Sequence, residues 1–90
     1  METRVAVISI IVTDEEAVQE LNTLLHQYGQ YVIGRMGIPY RSKGVNIICV
    51  AVDAPQDFIN ALSGKVGRLK VVTVKAAYSN VADIYKNCYL

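Results

Sequence analysis

Two hydrophobic periods divide the chain. Runs dense in β-branched residues alternate with stretches whose apolar positions recur every three to four residues. Arg4–Val12 reads Arg-Val-Ala-Val-Ile-Ser-Ile-Ile-Val and predicts a strand. Thr13-Asp-Glu-Glu16 then predicts a capping box, with Thr13 as N-cap and Glu16 reaching back to it. Behind it Val18, Leu21, Leu25 and Tyr28 keep helical spacing, and Gly29 predicts the stop. Tyr31–Ile38 and Val45–Val52 predict two further strands, parted by Pro39 and the turn residues Ser42-Lys43-Gly44. Asp53-Ala54-Pro55 predicts a second helix start, with Asp53 as cap and the proline in the first turn. Phe58, Ile59, Leu62, Val66 and Leu69 continue that helix, and Gly64 and Gly67 predict an early end. Val71–Tyr78 predicts a fourth strand, and residues 79–90 a polar-aromatic tail with one or two helical turns.

The order β-α-β-β-α-β predicts an α+β, ferredoxin-like sandwich: a four-stranded antiparallel sheet with two helices on one face. Residues 1–78 then form one domain and residues 79–90 a tail. A sheet with one wet face should alternate apolar and polar residues. Here it does not. Val5, Val7 and Ile11 oppose Ala6, Ile8, Ile10 and Val12 on the first strand. On the third, Val45, Ile47, Cys49 and Ala51 oppose Ile48, Val50 and Val52.

Composition sharpens the anomaly. The chain has 90 residues, 52% hydrophobic and 19% charged, with a mean hydropathy of +0.27. A small domain has proportionally more surface and should look more polar than average. Disorder is excluded, and so is a membrane-spanning helix, because the longest apolar stretch, Val5–Val12, is far short of the ~20 residues required. Acidic Glu2 and Asp14 do not fit a secretory signal. The second apolar face therefore predicts a homo-oligomer, at least a dimer, joined through the sheet faces.

Charge and candidate chemistry narrow the function classes. The net charge is +1, with residues 1–30 at −4 and residues 31–90 at +5, and no dense basic cluster. Cys49 in an apolar run and Cys88 near the end read as reduced thiols. His26, Cys49 and Cys88 show no metal-ligand spacing, so a metal site needs His26 together with a ligand from another subunit. No histidine stands beside a candidate nucleophile, and Asp14, Glu15, Glu16 and Glu20 read as a capped, solvated helix face. The expectation is no enzyme. RNA-recognition domains share the element order, but Lys43-Gly44-Val45-Asn46-Ile47-Ile48-Cys49-Val50 lacks their stacking aromatics. No DNA or RNA binding is expected. Gly34, Gly37, Arg35, Tyr40 and Arg41 make the most unusual segment. Glycines within a strand mark a bulge or a close approach, and the arginines and tyrosine suit an anionic small ligand.

Four motifs, Leu25-His-Gln-Tyr-Gly29, Gly34-Arg-Met-Gly-Ile-Pro-Tyr40, Val52-Asp-Ala-Pro55 and Ala61-Leu-Ser-Gly-Lys-Val-Gly-Arg-Leu69, resemble the iron-only hydrogenase system regulator family. The resemblance covers the chain to about Tyr78. It implies a cytoplasmic, stand-alone ACT-like domain linked to hydrogenase maturation or control. The fold is also similar to the C-terminal domain of the nickel-responsive repressor, which implies a tetramer. His26 falls at a nickel-ligand position of that domain. Its other ligand positions fall near Gly37, Pro39 and Val45, whose side chains bind no nickel, and its DNA-reading segment has no counterpart. The expected function is a regulatory, ligand-binding homo-oligomer without a cofactor, signalling through a partner protein. A metal module built on His26 and a purely structural subunit are the alternatives.

Overall fold

The computed structural model describes residues 2–69 and 72–79. Along the chain run β1 (Arg4–Val12), α1 (Glu15–Gln27), β2 (Val32–Tyr40), β3 (Val45–Ala54), α2 (Gln56–Gly67) and β4 (Val72–Tyr78). Short 3-10 turns at Gly29–Tyr31 and Arg41–Lys43 flank β2. The strands form one sheet of order β2-β3-β1-β4, with every neighbouring pair antiparallel. This is the expected ferredoxin-like α+β arrangement. The expected helical turns of the tail, and Cys88, lie outside the described residues.

Side-chain alternation sets the layers. Ala6, Ile8, Ile10 and Val12 of β1 and Ile48, Val50, Val52 and Ala54 of β3 point to the helices. There they meet Ala17, Leu21 and Leu25 of α1 and Ile59, Leu62 and Val66 of α2, all at most 4% exposed. Each large aliphatic side chain so buried contributes about 1.5–3 kcal/mol. Phe58 closes one end of this core, its ring 5.1 Å from that of Tyr28 and 4.5 Å, edge-on, from that of Tyr31.

Several element ends differ from the sequence expectation, each for a local reason. The N-cap of α1 is Asp14 and not Thr13: extended Asp14 accepts the Glu16 N–H at 2.9 Å, and a carboxylate caps as well as a hydroxyl. Gly29 lies past the C-cap, Tyr28, and starts the 3-10 turn. Asp53 does not cap α2. It is an exposed β3 residue paired with Val5, and Ala54 pairs with Arg4, so the strand runs on and Pro55 takes the cap position. Helix α2 passes through Gly64 because Ile59, Leu62 and Val66 anchor it to the sheet. Strand β2 continues through Pro39 to Tyr40, which an edge strand permits. Gly44 closes the β2–β3 turn at φ +64°, a left-handed conformation that suits glycine.

Candidate functional site

The sheet face turned away from the helices carries three cross-strand rows. Ile38 pairs with Ile47, and Ile47 with Ile11; Met36 pairs with Cys49, and Cys49 with Ser9; Gly34 pairs with Ala51, and Ala51 with Val7. Val7, Ile11, Met36, Ile38 and Tyr40 are 41–52% exposed, although they are large and apolar. Cys49 stands in the middle strand of the middle row. On the β4 side the face becomes polar, with Thr73 and Lys75 opposite Ile11 and Ser9. Tyr40 is the single aromatic ring on this face among the described residues.

A second feature lies on the helix side, between α1 and edge strand β2. Asn22, Leu25, His26, Gly29, Val32, Arg35 and Val50 line an open cleft of about 370 Å³. Helical spacing puts Asn22 and His26 on the same face of α1, one turn apart. A register shift between Val32 and Gly34 inserts Ile33 as a bulge and leaves Arg35 opposite Val50, on the helix side. There its Nη2 donates to Asn22 Oδ1 at 2.7 Å. Leu25 and Val50 are buried beneath the exposed Asn22, His26 and Arg35, so an apolar floor carries a polar rim.

The five residues singled out in the sequence do not form one cluster. Arg35 and Gly37 belong to the helix side of β2, while Gly34 and Tyr40 belong to the open face. Tyr40 and Arg41 instead share a hollow of about 330 Å³ at the hairpin end with Thr13, Glu15, Pro39, Gly44, Val45 and Asn46. Neither strand glycine is crowded, since a Cβ on Gly34 or Gly37 meets nothing within 4 Å. Gly34 deepens a shallow hollow of about 280 Å³ on the open face, with Val7, Met36, Cys49 and Ala51 around it. His26 and Arg35, taken separately in the sequence, are brought to the same cleft. Asn22 carries no signal in the sequence beyond its position four residues before His26.

His26 and Cys49 stand on opposite sides of the sheet. Among the described residues no group of three or more His, Cys, Asp or Glu side chains is placed to hold a metal ion. Nor is any described helix long and apolar enough to cross a membrane.

Comparison with known proteins extends the picture. A family model described as TM1266-like, iron-only hydrogenase system regulator, matches residues 4–76. Protein TM1266 from Thermotoga maritima superposes with a TM-score of 0.82 at 35% identity, over 86% of this chain and 98% of that one. A formyltetrahydrofolate deformylase from Pseudomonas putida KT2440 matches with a TM-score of 0.62 at 16% identity, over 86% of this chain and 29% of the enzyme. A homoserine dehydrogenase from Thiobacillus denitrificans gives 0.61 at 13% identity, over 84% and 17%. These last two share the fold of a small part of their chains with this one. No curated protein matches the sequence.

Proposed function

The chain belongs to the TM1266-like family, named as regulators of iron-only hydrogenase systems, and within it we propose a non-enzymatic regulatory module that binds a small ligand and works as a homo-oligomer. The observation that carries this reading is the open sheet face, where three largely apolar rows centre on Cys49 with no helix of the described residues over them. Soluble monomers seldom expose contiguous apolar patches of this kind, and such patches mark interaction sites.

A second copy of the chain is the occupant that fits. The face is apolar at its centre, with Asp53 and Lys75 at its margins, so it offers little for a charged partner to recognise. It also has relief: isoleucines stand in one row, and Gly34 and Ala51 leave a hollow in another. A four-stranded face measures roughly 19 Å across and about 26 Å along eight residues. Two copies then bury on the order of 1,000 Å², the size at which specific interfaces begin. A two-fold stacking centred on this patch is self-complementary and closed. The edge of β2, where Ile33 is 63% exposed, is left for pairing dimers into a tetramer.

The ligand site is the α1–β2 cleft. Residues 34 and 36 of β2 face the sheet interface while residue 35 faces the cleft, so the same strand serves both. A ligand that repositions β2 alters how well two sheets stack, and a ligand favouring one assembly state shifts the population toward it. That is a route by which a cytoplasmic module without catalytic groups signals to a protein partner. Light scattering over a range of concentrations tests the assembly. A mass of two or more chains at micromolar concentration supports it, and a monomer at all concentrations overturns it.

A further inference from the structure

We infer that the α1–β2 cleft binds a small organic monocarboxylate, with Arg35 receiving the carboxylate and Val32, with the accessible edge of Leu25, taking a compact apolar body. This deepens the ligand-binding reading and rests on it.

Four observations select this chemistry. First, among the described residues Arg35 is the one permanently charged group lining the cleft, and no carboxylate lines it. A guanidinium offers five donors in a planar fork, of which the contact with Asn22 Oδ1 uses one. The remainder match the two oxygens of a carboxylate. Second, that contact fixes the fork, because Asn22 sits on a helix and Arg35 on a strand. It also sets the Asn22 amide with its oxygen toward the arginine, leaving the Nδ2 hydrogens to donate to an acceptor in the cleft. His26, one turn further along α1, adds a ring N–H at the rim.

Third, the cleft adjoins the last two turns of α1, residues 22–27, where the helix dipole presents its negative end. A dianion such as phosphate meets one compensating cation and an opposing dipole there. The dipole opposes a monoanion too, but less, and the single cation of Arg35 suffices to offset its charge. Fourth, about 370 Å³ lies at the small end of the ~300–1,000 Å³ typical of ligand pockets, and its floor is aliphatic. The apolar floor binds a short hydrocarbon or aromatic body and gives no partner to a second charge. The hollow at Tyr40 and Arg41 lacks this pattern, because Glu15 lines it beside Arg41.

The test titrates full-length protein with monocarboxylates of three to nine carbons, their matching primary amides and inorganic phosphate, following backbone amide shifts by NMR. The expected result is saturable shifts at Asn22, His26, Gly29 and Arg35 with at least one carboxylate. Its amide should bind at least about 10-fold more weakly, and Arg35→Ala should lower carboxylate affinity by about 10- to 100-fold, the worth of hydrogen bonds to a charged group. Arg35→Lys, which keeps the charge and loses the fork, should recover part of that loss. Amides binding as well as acids, or phosphate binding in preference, overturn the carboxylate assignment and leave the ligand-binding reading intact. No shift at these residues with any probe overturns both.

Discussion

Replacing Ile11 tests the sheet-face interface where its energetics are simplest. Ile11 lies outside the buried core, 44% exposed, between Ile47 on β3 and Thr73 on β4. Full burial of an isoleucine side chain is worth about 1.5–3 kcal/mol, so burying the exposed 44% in an interface contributes about 1 kcal/mol per copy. A two-fold interface counts every residue twice. Ile11→Ala should therefore weaken a dimer by about 2 kcal/mol, or roughly 30-fold in Kd. Ile11→Asp adds two unpaired carboxylates to an apolar contact, each costing several kcal/mol if it stays charged, and should weaken it by about 1,000-fold or more. Sedimentation equilibrium across a concentration series measures both changes, and circular dichroism checks that the fold persists. A folded Ile11→Asp protein that keeps the parent's mass at every concentration would refute the reasoning.

The monomer made by that substitution gives a clean background for stability, since association otherwise makes unfolding concentration-dependent. In it, Leu21→Ala should cost about 2–5 kcal/mol by urea denaturation, because Leu21 is 0% exposed on the sheet-facing side of α1. Asp14→Ala, which removes the acceptor of the Glu16 N–H, should cost about 1 kcal/mol in the same assay, with Asp14→Ser close to wild type. Gly44→Ala puts a Cβ on a residue at φ +64° and should cost about 1–2 kcal/mol, although the space around it is open. A Gly44→Ala protein as stable as its parent would show that the turn conformation is not held by this glycine.

Much of the fold was legible in local pattern because local physics decided it. Runs dense in β-branched residues became β1, β3 and β4, and the apolar stripe from Val18 to Tyr28 became α1. The open apolar face could be read from Val5, Val7 and Ile11 alone, since alternation fixes which side of a strand each residue takes. Errors fell where tertiary pairing overruled local chemistry. Asp53 looks like a cap in sequence, yet pairing with Val5 and Ala54 with Arg4 extends β3 past it. Pro39 looks like a strand end, but edge position removes the penalty for its missing N–H. The candidate ligand residues were read as one segment. A strand separates its neighbours onto two faces, and the bulge at Ile33 sets which face Arg35 takes. The cleft itself was illegible, because Asn22 and His26 meet Arg35 only after α1 and β2 pack side by side.

If two copies meet through the sheet face centred on Cys49, a cross-linker should join them at that residue. Face-to-face sheets lie about 10 Å apart, too far for a disulfide, whose Cα atoms lie within about 7 Å, but within reach of a short bismaleimide. In a Cys88→Ser background, Cys49 is the sole thiol. A covalent dimer should form rapidly under native conditions and be abolished by urea and by Ile11→Asp. A protein whose solution mass is a dimer but whose Cys49 gives no cross-link, while Ile33→Cys in a cysteine-free background does, would place the interface at the edge of β2 and contradict the sheet-face pairing.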